Sequence, residues 1–228
     1  MSQSEVEQPH ETCAAVMTAE LAQSWRRTRQ EAFRPGRVKL SWNPNCLLVE
    51  AELHDDAIFN HAKQDNERLW QTGDSFEIFL QRKGADEYVE LHVAPNNKRL
   101  HLRLPNRAPG GGQATNAASF DSLLVSPVGF RSSVRLFPSA WKVLARIPPD
   151  VLGLERFRAG RQLLVNFARY DATPGREPVL SASATHPVAN FHRREDWTTV
   201  RLKERNPPPR TPAPEDRPPH FNTIKSVH

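Results

Sequence analysis

The chain has 228 residues, 38% of them hydrophobic and 25% charged. That is enough for one sizeable core with tails and an ordinary charge share, which excludes a wholly disordered protein. A net charge of +5 arises from 31 Lys and Arg against 26 Asp and Glu. The basic residues are interleaved with acids, so the charge is read as solvation and no nucleic-acid partner is expected.

No stretch reaches the ~20 consecutive apolar residues that span a bilayer, so no membrane partner is expected either. Met1 to Ser24 has no apolar core flanked by positive charge, so no secretory signal is read and the chain as written is expected in the cytoplasm. Cys13 and Cys46 lie far apart without metal-ligand spacing; two free thiols are expected rather than a disulfide. Residues 1–30 form a polar lead-in whose helix formers, around Leu21 and Trp25, predict a short helix or coil.

From Val38 onward the pattern predicts strands at 38–42, 47–54, 74–81, 87–94 and 98–104. Further strands are predicted at 130–136, 141–147, 163–170 and 197–203, with a weaker one near 119–125. Turn signals separate them at Asn43-Pro44-Asn45, Pro95-Asn96-Asn97 and Pro174-Gly175, and Gly110-Gly111-Gly112 marks a flexible loop. Pro148-Pro149-Asp150-Val151-Leu152-Gly153 reads as one helical turn with proline at its start. The final stretch, 205–228, holds Pro207-Pro208-Pro209, Pro212, Pro214 and Pro218-Pro219. Proline at that density cannot supply ladder donors, so an extended tail is expected there, a spacer or a site for a protein partner. Many short strands with turn-rich loops and almost no long helix predict an antiparallel, jelly-roll-like β-sandwich over 31–204.

The most informative stretch runs from Trp70 to Leu104, where apolar and polar residues alternate with period two. Phe76, Ile78 and Leu80 share one face, as do Val89, Leu91 and Val93, and Leu100, Leu102 and Leu104. The opposite faces carry Ser75, Glu77 and Phe79; Tyr88, Glu90 and His92; and Arg99, His101 and Arg103. One greasy face and one rich in carboxylate, imidazole and guanidinium suit the binding of something polar.

The order of segments is also familiar. Glu50-Ala51-Glu52-Leu53-His54-Asp55-Asp56, then Trp70 with Gly73-Asp74-Ser75-Phe76-Glu77-Ile78-Phe79, then Tyr88 to Asn97, resembles the family 9 carbohydrate-binding module and its DOMON-like relatives. Trp141-Lys142-Val143-Leu144-Ala145-Arg146-Ile147-Pro148, Gly160 with Leu164-Val165-Asn166-Phe167-Ala168-Arg169-Tyr170, and Ser181, Phe191-His192 and Trp197 continue the resemblance, which covers roughly residues 38 to 203. It implies a non-catalytic antiparallel sandwich. In sugar-binding members two aromatic side chains clamp a terminal sugar while carboxylate, amide and guanidinium groups bond its hydroxyls. Structural calcium also occurs in such modules.

Carried onto this sequence, the resemblance makes Trp70 and Trp197 the stacking candidates, because an aromatic ring matches the apolar C–H face of a pyranose. Core packing competes with that role at both positions, and more strongly at Trp197; Trp42 and Trp141 are read as core. Glu77 is the carboxylate candidate for two hydroxyl hydrogen bonds, with a cross-strand salt bridge to Arg99 or Arg103 as the competing reading. Arg99 and Arg169 are the guanidinium candidates, and Asn96 and Asn97 read as turn residues.

Asp55-Asp56 with Asp74 could supply oxygens to calcium, although adjacent acids after a strand more often form a solvated turn. No histidine pairing argues for zinc, and His92 and His101 read as surface residues. No metal ligand or catalytic residue is therefore assigned; Glu77 with Glu90 would suit glycoside hydrolysis, but no nucleophile elbow, phosphate loop or metal-binding helix accompanies them. Met1 and Met17 fall in the lead-in, which argues against a methionine-ligated haem. The expected function is non-catalytic binding of sugar ends, without a cofactor beyond structural calcium. A sandwich retained for protein contact is the alternative, and a glycan-active enzyme the third.

Overall fold

The computed structural model describes residues 13–105 and 120–204. The expected glycine loop at 110–112 and the proline-rich tail at 205–228 lie outside the described residues. Among the described residues, eleven strands form two antiparallel sheets. They are β1 (Ala14–Glu20), β2 (Gly36–Asn43), β3 (Cys46–His54), β4 (Ser75–Arg82), β5 (Glu87–Val93), β6 (Arg99–Pro105), β7 (Arg131–Phe137), β8 (Ala140–Ile147), β9 (Gln162–Thr173), β10 (Arg176–Ala182) and β11 (Thr198–Arg201). One sheet runs β1-β2-β3-β8-β7 and the other β10-β9-β4-β5-β6. β9 is long enough, at 12 residues, to carry both β10 and β11 along one edge.

The sheets face each other across one core, built from alternate residues: Leu40, Leu47, Val49 and Leu53 from one sheet, and Phe76, Ile78, Leu91 and Phe167 from the other. Each is fully buried, a gain of about 1.5–3 kcal/mol per large aliphatic or aromatic side chain. Trp42 and Trp141 are buried in this core, as the sequence predicts. The expected helical turn is a 3-10 turn over Pro149–Leu152, with Pro149 at its start and Gly153 closing it at φ 63°.

Three expectations need correction. The N-terminal segment read as helix or coil contains β1, paired with β2 from Ala14↔Trp42 to Glu20↔Arg37, with a register shift between Ala15 and Met17. Met17 thus packs against the core. Leu100, Leu102 and Leu104 do not share the core face of Leu91: the β5–β6 register sets Leu102 opposite Glu90 and His101 opposite Leu91. The leucines of β6 instead build a second small cluster on the outer face, with Leu69, Trp70, Phe120 and Leu124. Finally, the weak strand near 119–125 is reduced to a single bridge, Leu102↔Leu124.

Candidate functional site

The outer face of β4 and β5 carries Ser75, Glu77 and Phe79 against His92, Glu90 and Tyr88, because Glu77 pairs with His92 and Phe79 with Glu90. Counting outward from the Gly84-Ala85 hairpin gives the same pairing, so this juxtaposition was the signal available in the sequence. Small apolar clusters close both ends of the row. At one end Phe79 and Tyr88 pack with Ala168 and Trp197; at the other stands the turn Leu69–Gln71, which carries Trp70.

That turn is clamped from beneath. Leu69 is buried as its anchor, and the Asn60 amide donates to the carbonyls of Leu69 and Asp74, both at 2.9 Å. The Thr72 hydroxyl donates to Asn60 Oδ1 at 2.8 Å. Asn96 in turn donates to the carbonyls of Asn60 and Ala62; Asn97 adopts φ 60° in the β5–β6 turn and donates to Ser132. Both are tethers, as their turn reading implied.

Between the two clusters lies a buried ionisable triad. His92 Nε2 contacts Glu90 Oε1 at 2.6 Å; His92 Nδ1 contacts the Ser75 hydroxyl at 3.1 Å and lies 3.6 Å from Glu77 Oε1. Trp70 stands over the imidazole, with ring centroids 5.4 Å apart. Glu90 Oε2 is buried and accepts no hydrogen bond; His192 Nδ1 stands 3.7 Å from it and is itself bonded to the Tyr88 hydroxyl at 2.9 Å. Burial pushes Glu77 up to about 7, with Glu90 adding to the rise and His92 opposing it. Burial acts on Glu90 in the same sense but is outweighed by His192 and His92, so its carboxyl is held below the usual range. Burial lowers His92, but Glu77 and Glu90 overcome it and hold the imidazole above its ordinary value. His92 and His101, expected at the surface, are each 1% exposed.

Of the five residues marked for ligand contact, the structure brings Trp70 and Glu77 together, both flanking His92. The other three go elsewhere. Trp197 is buried against Tyr88 and Phe79, with ring centroids 5.3 and 5.6 Å away, and its indole donates to the Phe191 carbonyl. Arg99 is on the opposite side of its sheet, bonded to Asp65 at 2.6 Å and to the Phe130 carbonyl. Neither Arg99 nor Arg103 reaches Glu77; Arg103 pairs with Glu87.

Arg169 faces the sandwich interior across from Phe76. There it is fully buried, donating to the His54 carbonyl and to Asp55 at 2.6 Å, with Asp171 at 3.3 Å. Asp55, Asp74 and Asp171 converge at this point, while Asp56, expected with them, is exposed and paired with Arg34. Every oxygen of the three is engaged. Asp55 accepts from the Ala57 amide and Arg169, Asp74 from the Phe59 and Ala172 amides, and Asp171 from Arg176 with Arg169 beside its other oxygen. Arg169 is the cation this cluster was built around, so its donor set does not fit an added calcium ion.

An open cleft of about 590 Å³, lined in part by Arg82, Asp86, Glu87 and Arg103, lies at the far end of β4–β6. Two arginines there face two carboxylates, so it offers no uncompensated charge.

No protein-family model matches the sequence, and no curated protein is detectably similar to it. Solved structures do share the fold. A protein of Bacteroides uniformis, provisionally described as carbohydrate-binding, superposes with a TM-score of 0.62 at 12% identity, covering 82% of this chain and 87% of its own. A family 9 carbohydrate-binding module from Caldicellulosiruptor kristjanssonii in complex with cellotriose gives 0.54 at 18% identity, covering 88% of both chains. A module of that family and organism in complex with glucose gives 0.55 at 19%, covering 79% and 81%. The chain therefore has the β-sandwich fold of family 9 carbohydrate-binding modules.

Proposed function

We propose that this protein is a non-catalytic carbohydrate-binding module that takes the end of a sugar chain at Trp70 and Glu77. One observation carries the reading: a half-buried indole and a carboxylate without a hydrogen bond of its own meet at the same imidazole, on a fold shared with modules that bind cellotriose and glucose. The indole offers the apolar platform a pyranose needs, and the carboxylate accepts from adjacent hydroxyls. Arg99, Arg169 and Trp197 do not enter the site, for each is already engaged elsewhere.

The test is a fluorescence titration of the full chain with glucose, cellotriose and a wider glycan panel. Saturable quenching is expected. Trp70→Ala should weaken binding by about tenfold through lost stacking, and Glu77→Gln by about ten- to a hundredfold through the lost charge-assisted bond. No product should be released from an oligosaccharide. A flat response across the panel overturns the proposal in favour of a protein-contact module, and turnover of any glycan overturns its non-catalytic part.

A further inference from the structure

The described residues contain two buried clusters in which three metal-competent side chains lie within 4.8 Å of one another, and the fold treats them differently. At Asp55, Asp74 and Asp171 the guanidinium of Arg169 supplies the counter-charge and no carboxylate oxygen is left over. At Glu77, Glu90 and His92 the neighbouring bases among the described residues are imidazoles, His92 itself and His192 3.7 Å from Glu90 Oε2; Arg99 and Arg103 point to the other side of the sheet and Arg169 is engaged by Asp55. Two carboxylates share one imidazole. Glu90 Oε2 is buried without a hydrogen bond, and the Glu77 side chain, 8% exposed, lies 3.6 Å from His92 Nδ1. A buried carboxylate oxygen without a partner costs more than a missing hydrogen bond in water, and a cation held at this cluster would remove that cost for Glu90 Oε2.

We propose that Glu77, Glu90 and His92 form a binding site for a divalent transition-metal ion of the zinc type. Imidazole among the donors selects zinc and its neighbours over calcium and magnesium, which prefer all-oxygen shells. Glu90 approaches His92 at Nε2 and Glu77 approaches it at Nδ1. A single ion therefore takes one ring nitrogen and one oxygen of each carboxylate, atoms that lie within 4.8 Å of one another. The carboxylate on the far nitrogen must rotate toward it to reach the about 3.3 Å ligand spacing of tetrahedral zinc. Three protein ligands leave a fourth position for water. Coordination needs a deprotonated ring nitrogen and ionised carboxylates, so uptake releases any protons these groups hold. A single oxygen of Glu77 suffices for the ion. The inference therefore rests on the cluster's geometry and stands or falls apart from the sugar reading.

The experiment is zinc titration of the chelator-stripped full chain by calorimetry and chelator competition, with calcium in parallel. Expected are one zinc per chain at micromolar affinity or tighter, no comparable calcium uptake, and at least a tenfold loss of affinity in both Glu77→Gln and Glu90→Gln. As a measurement independent of the variants' folding, cobalt added to wild type should give the visible absorption of a low-coordinate nitrogen–oxygen site. Zinc uptake unchanged in both variants, equal uptake of calcium, no saturable uptake, or a cobalt spectrum identical to the free aqua ion would each overturn the proposal.

Discussion

Arg169 keeps a full charge where no water reaches it, and what makes this tolerable is the density of acceptors around it: Asp55, Asp171 and the His54 carbonyl. Arg169→Leu removes the guanidinium and leaves Asp55 and Asp171 facing each other without a cation. Breaking a buried pair in this way costs about 3–5 kcal/mol, which urea unfolding would show as a large fall in midpoint; a change below about 1 kcal/mol would mean that the carboxylates neutralise each other by holding a proton. Gly73 is constrained by its surroundings in a different manner. Its φ is 147°, and a Cβ there would stand 2.4 Å from the Phe59 carbonyl oxygen and 2.7 Å from Asn60 Cα. Both are backbone atoms that cannot swing aside. Gly73→Ala is expected to cost about 2–3 kcal/mol and, because the same contacts seat the Trp70 turn, to lower sugar affinity as well. Thermal unfolding combined with the sugar titration reads both effects, and an unchanged melting temperature would show that the Phe59–Asn60 backbone yields easily.

At the scale of elements, the strands between Gly36 and Ile147 were readable because period-two alternation is strong wherever one face is dry. Alternation says that two faces differ, but not which of them is inside. β6 shows the consequence: its leucines and its Arg99-His101-Arg103 row both lie under cover, the first beneath Trp70 and Phe120, the second against the Gly129-Phe130 and Val151 segments. Only the cross-strand register, Leu91↔His101, decides the matter. β1 failed for a related reason. Its alanines and Met17 suit a helix by intrinsic propensity, and the strand exists because the edge of β2 offers a ladder to join. The Glu77–His92 pairing followed from the hairpin count, whereas the destination of Arg169 depended on Asp55, more than 100 residues distant in sequence. A contact of that range leaves no local signature.

The molecule as a whole buries ionisable groups whose linkage to folding has opposite signs. Asp74 is pushed up to about 7 by burial and by Asp55 against two amide bonds; its folded form holds a proton more tightly than the unfolded chain does, so its contribution falls as pH rises from the usual carboxylate range to about 7. His101 works the other way. It is packed between β6 and Phe130, accepts the Gly129 amide at Nδ1, and leaves Nε2 without a partner. Burial, followed by the charge of Arg103, lowers it to about 4, with Asp150 opposing. Its neutral form is therefore favoured in the folded state: its full contribution is present above about pH 6.5 and is lost progressively as pH falls toward 4, by up to about 3 kcal/mol. The overall pH profile sums these opposing slopes, so the wild type alone cannot isolate either. His101→Asn retains an acceptor for Gly129 but cannot take up a proton, and the cavity it leaves costs the same at every pH. Stability measured by urea unfolding between pH 7 and 4 should fall more steeply in wild type than in the variant, with the difference confined to the window below 6.5. Parallel curves would mean that His101 protonates within the fold without penalty, and that the Gly129–Phe130 segment opens to water over that range.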